Sequence, residues 1–167
     1  GMGAQASLVI HHPDRRKASR LVEAVVAEVR RLERIFSLYR DDSDLTRLNR
    51  QRFAVAPAPE LVDLLQACRE VWALTEGAFD PTVQPLWTAY QDHFSQPDAA
   101  ASGPAAGSVR DRLERVGLDR LAWSPDRIEL PVPGSALTFN GIAQGYVTDR
   151  VVELLKAAGI EHSMVDM

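Results

Sequence analysis

The chain has 167 residues, 46% of them apolar and 25% charged, with a formal net charge of −4. That length can bury a substantial core in one domain, and the small negative charge excludes bulk attraction to nucleic acid or to an anionic membrane. Cys68 is the only cysteine, which excludes an intramolecular disulfide and a cysteine metal cluster.

Gln5 to His11 alternates loosely and contains Leu8, Val9 and Ile10, so it reads as a strand. Pro13-Asp14 then opens a long helix. Its apolar positions, Ala18, Leu21, Val22, Val25, Val26, Val29, Leu32 and Phe36, recur by threes and fours. His11 and His12 are adjacent on the strand's end and point opposite ways, so they do not share a metal. Ser43 is placed to N-cap a short helix from Asp44 to Asn49, anchored by Leu45 and Leu48. Asp41, Asp42 and Asp44 lack the glycine and distal glutamate of a calcium loop and read as caps and solvated charge.

Phe53 to Val55 reads as a short strand. Pro57, Pro59 and Glu60 mark a helix start. That helix runs through Leu61, Leu64, Leu65, Cys68, Val71 and Trp72, and Gly77 closes it. Within it, Cys68 reads as a small buried side chain and not a nucleophile. A turn at Phe79 to Thr82 precedes a short helix from Pro85 to Tyr90. Residues 91–107 shift to Ala, Ser, Gly and Pro, which predicts a mobile surface loop with His93 unpartnered in it. Ser108 to Val116 reads as a helix. Leu121–Ser124 and Arg127–Leu130 read as a hairpin, and Ser135 to Phe139 as a strand. A helix follows to Gly159, then a strand from Ile160 to Val165. No apolar run is long enough to span a bilayer, and no secretory leader pattern opens the chain. Long helices and antiparallel strands in mixed order predict a single α+β domain over residues 1–167 with a mixed or antiparallel sheet.

Three stretches carry the chemistry. In Leu137-Thr-Phe-Asn-Gly-Ile-Ala-Gln-Gly-Tyr-Val-Thr-Asp149 an apolar run, a glycine turn and a helix follow one another. Such a junction aims backbone N–H groups and a helix dipole at an anion. It is neither a Walker loop nor G-x-G-x-x-G, so a purely structural turn remains the other reading. Its carbonyls could also face a hard cation. Tyr146 either touches a ligand or packs on the sheet. Asp80, before Pro81, either caps a neighbouring N-terminus or binds a ligand. Tyr39 is either core or the wall of a pocket for a flat ring.

Together the stretches resemble the ApbE family of FAD:protein FMN transferases. The residues that carry the resemblance are Phe36-Ser37, Tyr39-Arg40, Ser43, Leu45 and Leu48-Asn49. Thr75, Gly77, Phe79 to Val83 and Pro85-Leu86 follow, and then Asn140 to Ala143, Gly145-Tyr146 and Asp149. The resemblance implies an enzyme that binds FAD with Mg²⁺ and moves FMN onto a threonine of an acceptor protein. By family position Met2, Tyr39, Ala78, Phe79, Asp80, Asn140 and Tyr146 contact FAD, and the carbonyl of Ala143 binds the metal. No catalytic side chain is assigned. The alternatives are an FAD-binding protein or Mg²⁺-dependent FAD pyrophosphatase, and a non-catalytic relative. Two departures stand out. Gln144 occupies a position where the family usually has lysine, and the chain stops at Met167 where the family continues to its side-chain metal ligands. A C-terminal portion is therefore expected to be missing, with poor or absent turnover by this chain alone. The family is often exported and lipid-anchored.

Overall fold

The computed structural model describes residues 7–160 and 162–166. Met2, expected to touch FAD, lies outside the described residues. Strand β1 (Ser7–Ile10) leads into α1 (Arg15–Phe36), whose N-cap Asp14 accepts from the N–H groups of Arg16 and Lys17. Helix α2 (Asp44–Gln51) is capped by the Ser43 hydroxyl, as its sequence predicts. Strand β2 (Phe53–Val55) precedes α3 (Pro59–Leu74), and α4 (Gln84–Phe94) and α5 (Ala106–Leu113) follow. A short 3-10 turn at Leu118–Arg120 leads to the hairpin β3 (Ala122–Trp123) and β4 (Arg127–Glu129). Helix α6 (Ala143–Ala157) and β5 (Ser163–Asp166) complete the order.

The strands make two small antiparallel sheets, the α+β architecture expected. In one, β1 pairs with β5, with Leu8 opposite Val165. In the other the order is β2-β4-β3, with Ala54 opposite Ile128 and Trp123 also opposite Ile128. The main core collects Leu32, Ile35 and Phe36 of α1, Leu45 and Leu48 of α2, and Leu61, Leu64, Leu65 and Cys68 of α3. Ile128, Leu130, Leu137, Phe139 and Val147 close it. A smaller cluster of Val25, Val151, Leu155 and Ile160 joins α1 and α6 beneath β1 and β5. Arg31 of α1 also binds Glu60 at the start of α3, at 2.6 Å.

Several expectations change. Helix α4 runs on to Phe94, so only 95–105 is irregular, and α5 begins at Ala106. The Ala-rich tract after Phe94 hides the helix's last turn from a composition argument, because Tyr90 and Phe94 continue its apolar spacing. His93 is not unpartnered: its Nε2 lies 2.8 Å from the carbonyl of Ala100 and ties the irregular segment to α4. Ser135–Phe139 is extended but is not a strand. Its one ladder contact is an isolated parallel bridge between Ala136 and Val83. Gly77 is not the C-cap of α3: the helix ends at Leu74, Thr75 is its C-cap, and Glu76 already turns left-handed at φ 51° before Gly77, whose N–H reaches back to the carbonyl of Trp72 at 2.8 Å. The left-handed position that closes the helix is thus filled by a glutamate, and the glycine continues the turn one residue later.

Cys68 is fully buried, and burial together with the Asp80 carboxylate pushes its thiol up to about 12. The expected outcome is that a thiol reagent at neutral pH labels Cys68 only as fast as the chain opens. Stoichiometric labelling within seconds, with circular dichroism unchanged, would contradict this packing.

Candidate functional site

The first and third sequence stretches meet at Phe36. Its ring stands edge-on to Phe139, with centroids 6.0 Å apart, and edge-on to Tyr146 at 5.5 Å. One residue on, the Ser37 hydroxyl accepts the N–H of Tyr39 at 3.1 Å, and the Ser37 carbonyl accepts the hydroxyls of Ser43 and Thr46. This corner turns the chain outward and leaves Tyr39 75% exposed. Tyr39 is therefore a wall and not core.

The second stretch is held to the third through its backbone. Thr138 donates its N–H to the carbonyl of Pro81 at 2.7 Å. The Phe79 ring covers Gly141, where an added Cβ would sit 3.5 Å from it. Ala78 is exposed and Phe79 half-buried. The Asp80 carboxylate is occupied internally. One oxygen accepts from the N–H and the hydroxyl of Thr82, at 2.8 and 2.5 Å. The other accepts the N–H of Leu118 at 3.0 Å, at the start of the 3-10 turn. The Thr82 hydroxyl in turn accepts from Gly117 at 2.7 Å. Of its two sequence readings, capping is the one that these bonds fill.

Asn140 is exposed at the turn that starts α6, and its N–H approaches the Thr138 hydroxyl at 3.3 Å. The carbonyl of Phe139 accepts from both Ile142 and Ala143, at 2.9 and 2.7 Å. Those two N–H groups are thus consumed within the turn. No side chain caps α6, and among the described residues no acceptor meets the N–H of Gln144 or Gly145. Two donors at the positive end of a helix remain open, an arrangement that suits an anion. A Cβ at Gly145 would meet nothing within 4 Å, so its smallness leaves an open approach and relieves no clash. Tyr146 packs on Phe36, and burial pushes its hydroxyl upward, with Asp63 adding to the effect. Ala143 is 1% exposed.

Beside Tyr39 a groove of about 570 Å³ opens, floored by Val83 and Leu86 and walled by Trp87, Tyr90 and Phe94. Trp87 is 59% and Phe94 54% exposed, an exposed aromatic surface of the kind that marks a binding site. The sequence reading did not select Tyr90 or Phe94. The signal was the spacing of 87, 90 and 94, which places three aromatics on one helix face once α4 is known to reach Phe94.

The ApbE family model matches residues 2–167. The chain belongs to the ApbE family. It is 29% identical over 159 residues to the FAD:protein FMN transferase of Treponema pallidum, covering 87% of this chain and 42% of that protein. It is 25% identical to one from Klebsiella pneumoniae, covering 99% of this chain and 51% of that protein. The chain thus spans about half the length of the curated relatives it matches. The flavinyl transferase ApbE of Pseudomonas stutzeri, in its apo form, superposes with a TM-score of 0.86 at 27% identity, over all of this chain and 53% of that one. The Vibrio cholerae flavin transferase ApbE carrying an H257G mutation also gives 0.86, at 25% identity, over 99% and 57%.

Replacing Asp80 with alanine leaves the N–H groups of Leu118 and Thr82 without acceptors. The expected loss is about 2–3 kcal/mol of stability in urea unfolding. Asp80→Asn, which retains one acceptor oxygen, is expected to lose about half of that. Wild-type stability in both variants would show that these bonds contribute little.

Proposed function

We propose that this chain binds FAD and serves the transfer of FMN from FAD to a threonine hydroxyl of an acceptor protein. The observation that carries the reading is a pair of complementary features on one set of joined segments. The aromatic groove beside Tyr39 suits a flat apolar ring. The uncapped start of α6, behind Asn140, suits a phosphate. A dinucleotide with a ring at one end and a pyrophosphate in its middle matches both. Family membership and the names of the relatives support the same ligand.

In such a transfer the threonine oxygen attacks the phosphorus of the FMN half. The bond from that phosphorus to the bridging oxygen of the pyrophosphate breaks, AMP leaves, and the threonine proton is released. Catalysis of this kind is mostly positioning and neutralisation of charge. The residues at hand would do the positioning. Tyr39 would hold the ring, Ala78 and Phe79 would border the ligand, and Asn140 with the Gln144 and Gly145 N–H groups would face the phosphates. Asp80 would act by fixing the 80–83 turn, since both its oxygens are engaged.

Mg²⁺, with the Ala143 carbonyl as a ligand, belongs to the same family reading. The described residues do not fit that site by themselves. Among them no group of three His, Cys, Asp or Glu side chains could hold a metal, and Ala143 is almost wholly buried. Carboxylates from outside the described residues would be required. This favours a second reading for the 167-residue polypeptide, flavin binding without turnover. Gln144 in place of the usual lysine agrees with it.

Titration with FAD, followed by flavin fluorescence and repeated with Mg²⁺, tests the proposal. Saturable binding that Mg²⁺ does not strengthen is expected, and Tyr39→Ala should weaken it about tenfold, or ~1.4 kcal/mol. Failure of the folded chain to bind FAD would remove the flavin reading. Incubation with FAD and a threonine-bearing acceptor then separates the outcomes. FMN on protein means transfer, free FMN means hydrolysis, and unchanged FAD means binding alone.

A further inference from the structure

Asn49 sits near the C-terminal end of α2, with Leu45 and Leu48 beside it in the core. Its side-chain amide reaches across 88 residues of sequence to both backbone groups of a single residue. Nδ2–H donates to the carbonyl of Leu137 at 2.8 Å, and Oδ1 accepts the N–H of the same residue at 2.7 Å. A side chain thus imitates the edge of a neighbouring strand, at a buried residue that has no ladder partner of its own. Asparagine alone gives this match at this length. Aspartate lacks the donor, glutamine is one methylene longer, and an apolar residue leaves both groups of Leu137 unpaired.

The other end of α2 is tied to the Tyr39 segment. The hydroxyls of Ser43, its N-cap, and Thr46 both donate to the Ser37 carbonyl, and Tyr39 hangs from the Ser37 hydroxyl. Thr46 and Asn49 are three residues apart, hence neighbours on one helix face about 4.5 Å apart along the axis. Helix α2 therefore links Tyr39 at one end to Leu137 at the other. Leu137 leads through the buried Phe139 directly to Asn140 and the open start of α6.

We propose that Asn49 is a positioning residue that sets the span between the Tyr39 ring site and the Asn140 phosphate site. This rests on the flavin reading above. The consequence is particular to ligands that occupy both sites at once. A ligand that fills both sites gains fully from both contacts only if the sites stand at a span that its linker can bridge without strain. A fragment that fills one site does not sense the distance to the other. Asn49 touches neither ligand end in this arrangement, so its effect belongs to FAD and not to the pieces of FAD.

The test uses the full chain with Asn49→Ala and the isosteric Asn49→Asp, and compares dissociation constants for FAD, riboflavin and ADP. FAD is expected to weaken at least tenfold in Asn49→Ala and less in Asn49→Asp, while riboflavin and ADP stay within twofold. A role confined to stability would weaken all three together or none of them. Either pattern overturns the proposal. A second measurement needs no ligand: amide hydrogen exchange should quicken at residues 137–141 in both variants and stay unchanged in α3. Unchanged exchange at residues 137–141 also overturns it. If the wild type binds no FAD, the flavin reading fails separately, and the exchange result still decides whether Asn49 holds the turn.

Discussion

The site depends on how residues 137–139 cross the core. Leu137 and Phe139 are fully buried, yet the segment belongs to neither sheet. Buried peptide groups must find partners, because each one left unpaired costs about 1–3 kcal/mol. Here they are met by three unlike donors and acceptors. They are the Asn49 amide, the Pro81 carbonyl, and the two N–H groups of Ile142 and Ala143 that converge on the Phe139 carbonyl. A regular strand would be satisfied by its neighbours in one uniform way. This one is satisfied separately from each motif, and so brings the motifs together.

That arrangement explains how the three stretches come together although none of them forms a compact motif alone. Ser37, Ser43 and Asn49 make backbone contacts, and so do Asp80 and Thr82. Their polar side chains are spent on the scaffold. Tyr39, Ala78 and Asn140 are left facing outward, and the start of α6 is left uncapped. Much of a site's precision resides in such supporting bonds, since small displacements weaken binding strongly. Asp80 illustrates the division. A carboxylate beside a candidate phosphate site would repel the ligand if it were free, whereas its two oxygens are bound to N–H and hydroxyl donors that hold it away from that role.

Much of the fold was legible where local rules dominate. The Ser43 cap, the β2 residues and the β3–β4 hairpin each follow from a few adjacent side chains. The sequence failed where tertiary context overrides the local signal. Residues 135–139 look like a strand because they are apolar and extended, and only their partners reveal that they are not one. Helix α4 lost its last turn to composition, and with it Phe94 in the groove. The family was legible by resemblance, but the roles of its residues were not. Asp80 and Asn49 carry the same motif weight as Tyr39, and spacing alone does not separate a residue that touches a ligand from one that aims it.

The glycine turn shows the limit of a motif argument most clearly. Gly141 and Gly145 invite a reading in terms of backbone freedom, yet neither is among the glycines at positive φ. A Cβ at Gly141 would make ordinary contact with Phe79, and one at Gly145 would project into open space. Neither the turn nor the packing therefore demands glycine at Gly145. What its absent side chain preserves is clearance over the two open N–H groups of α6. That start is exposed, so water can meet its open N–H groups, and α3, α4 and α5 begin without a side-chain cap as well. What sets α6 apart is its place behind the Asn140 turn and the clear approach over Gly145, and the phosphate proposed above rests on those two features.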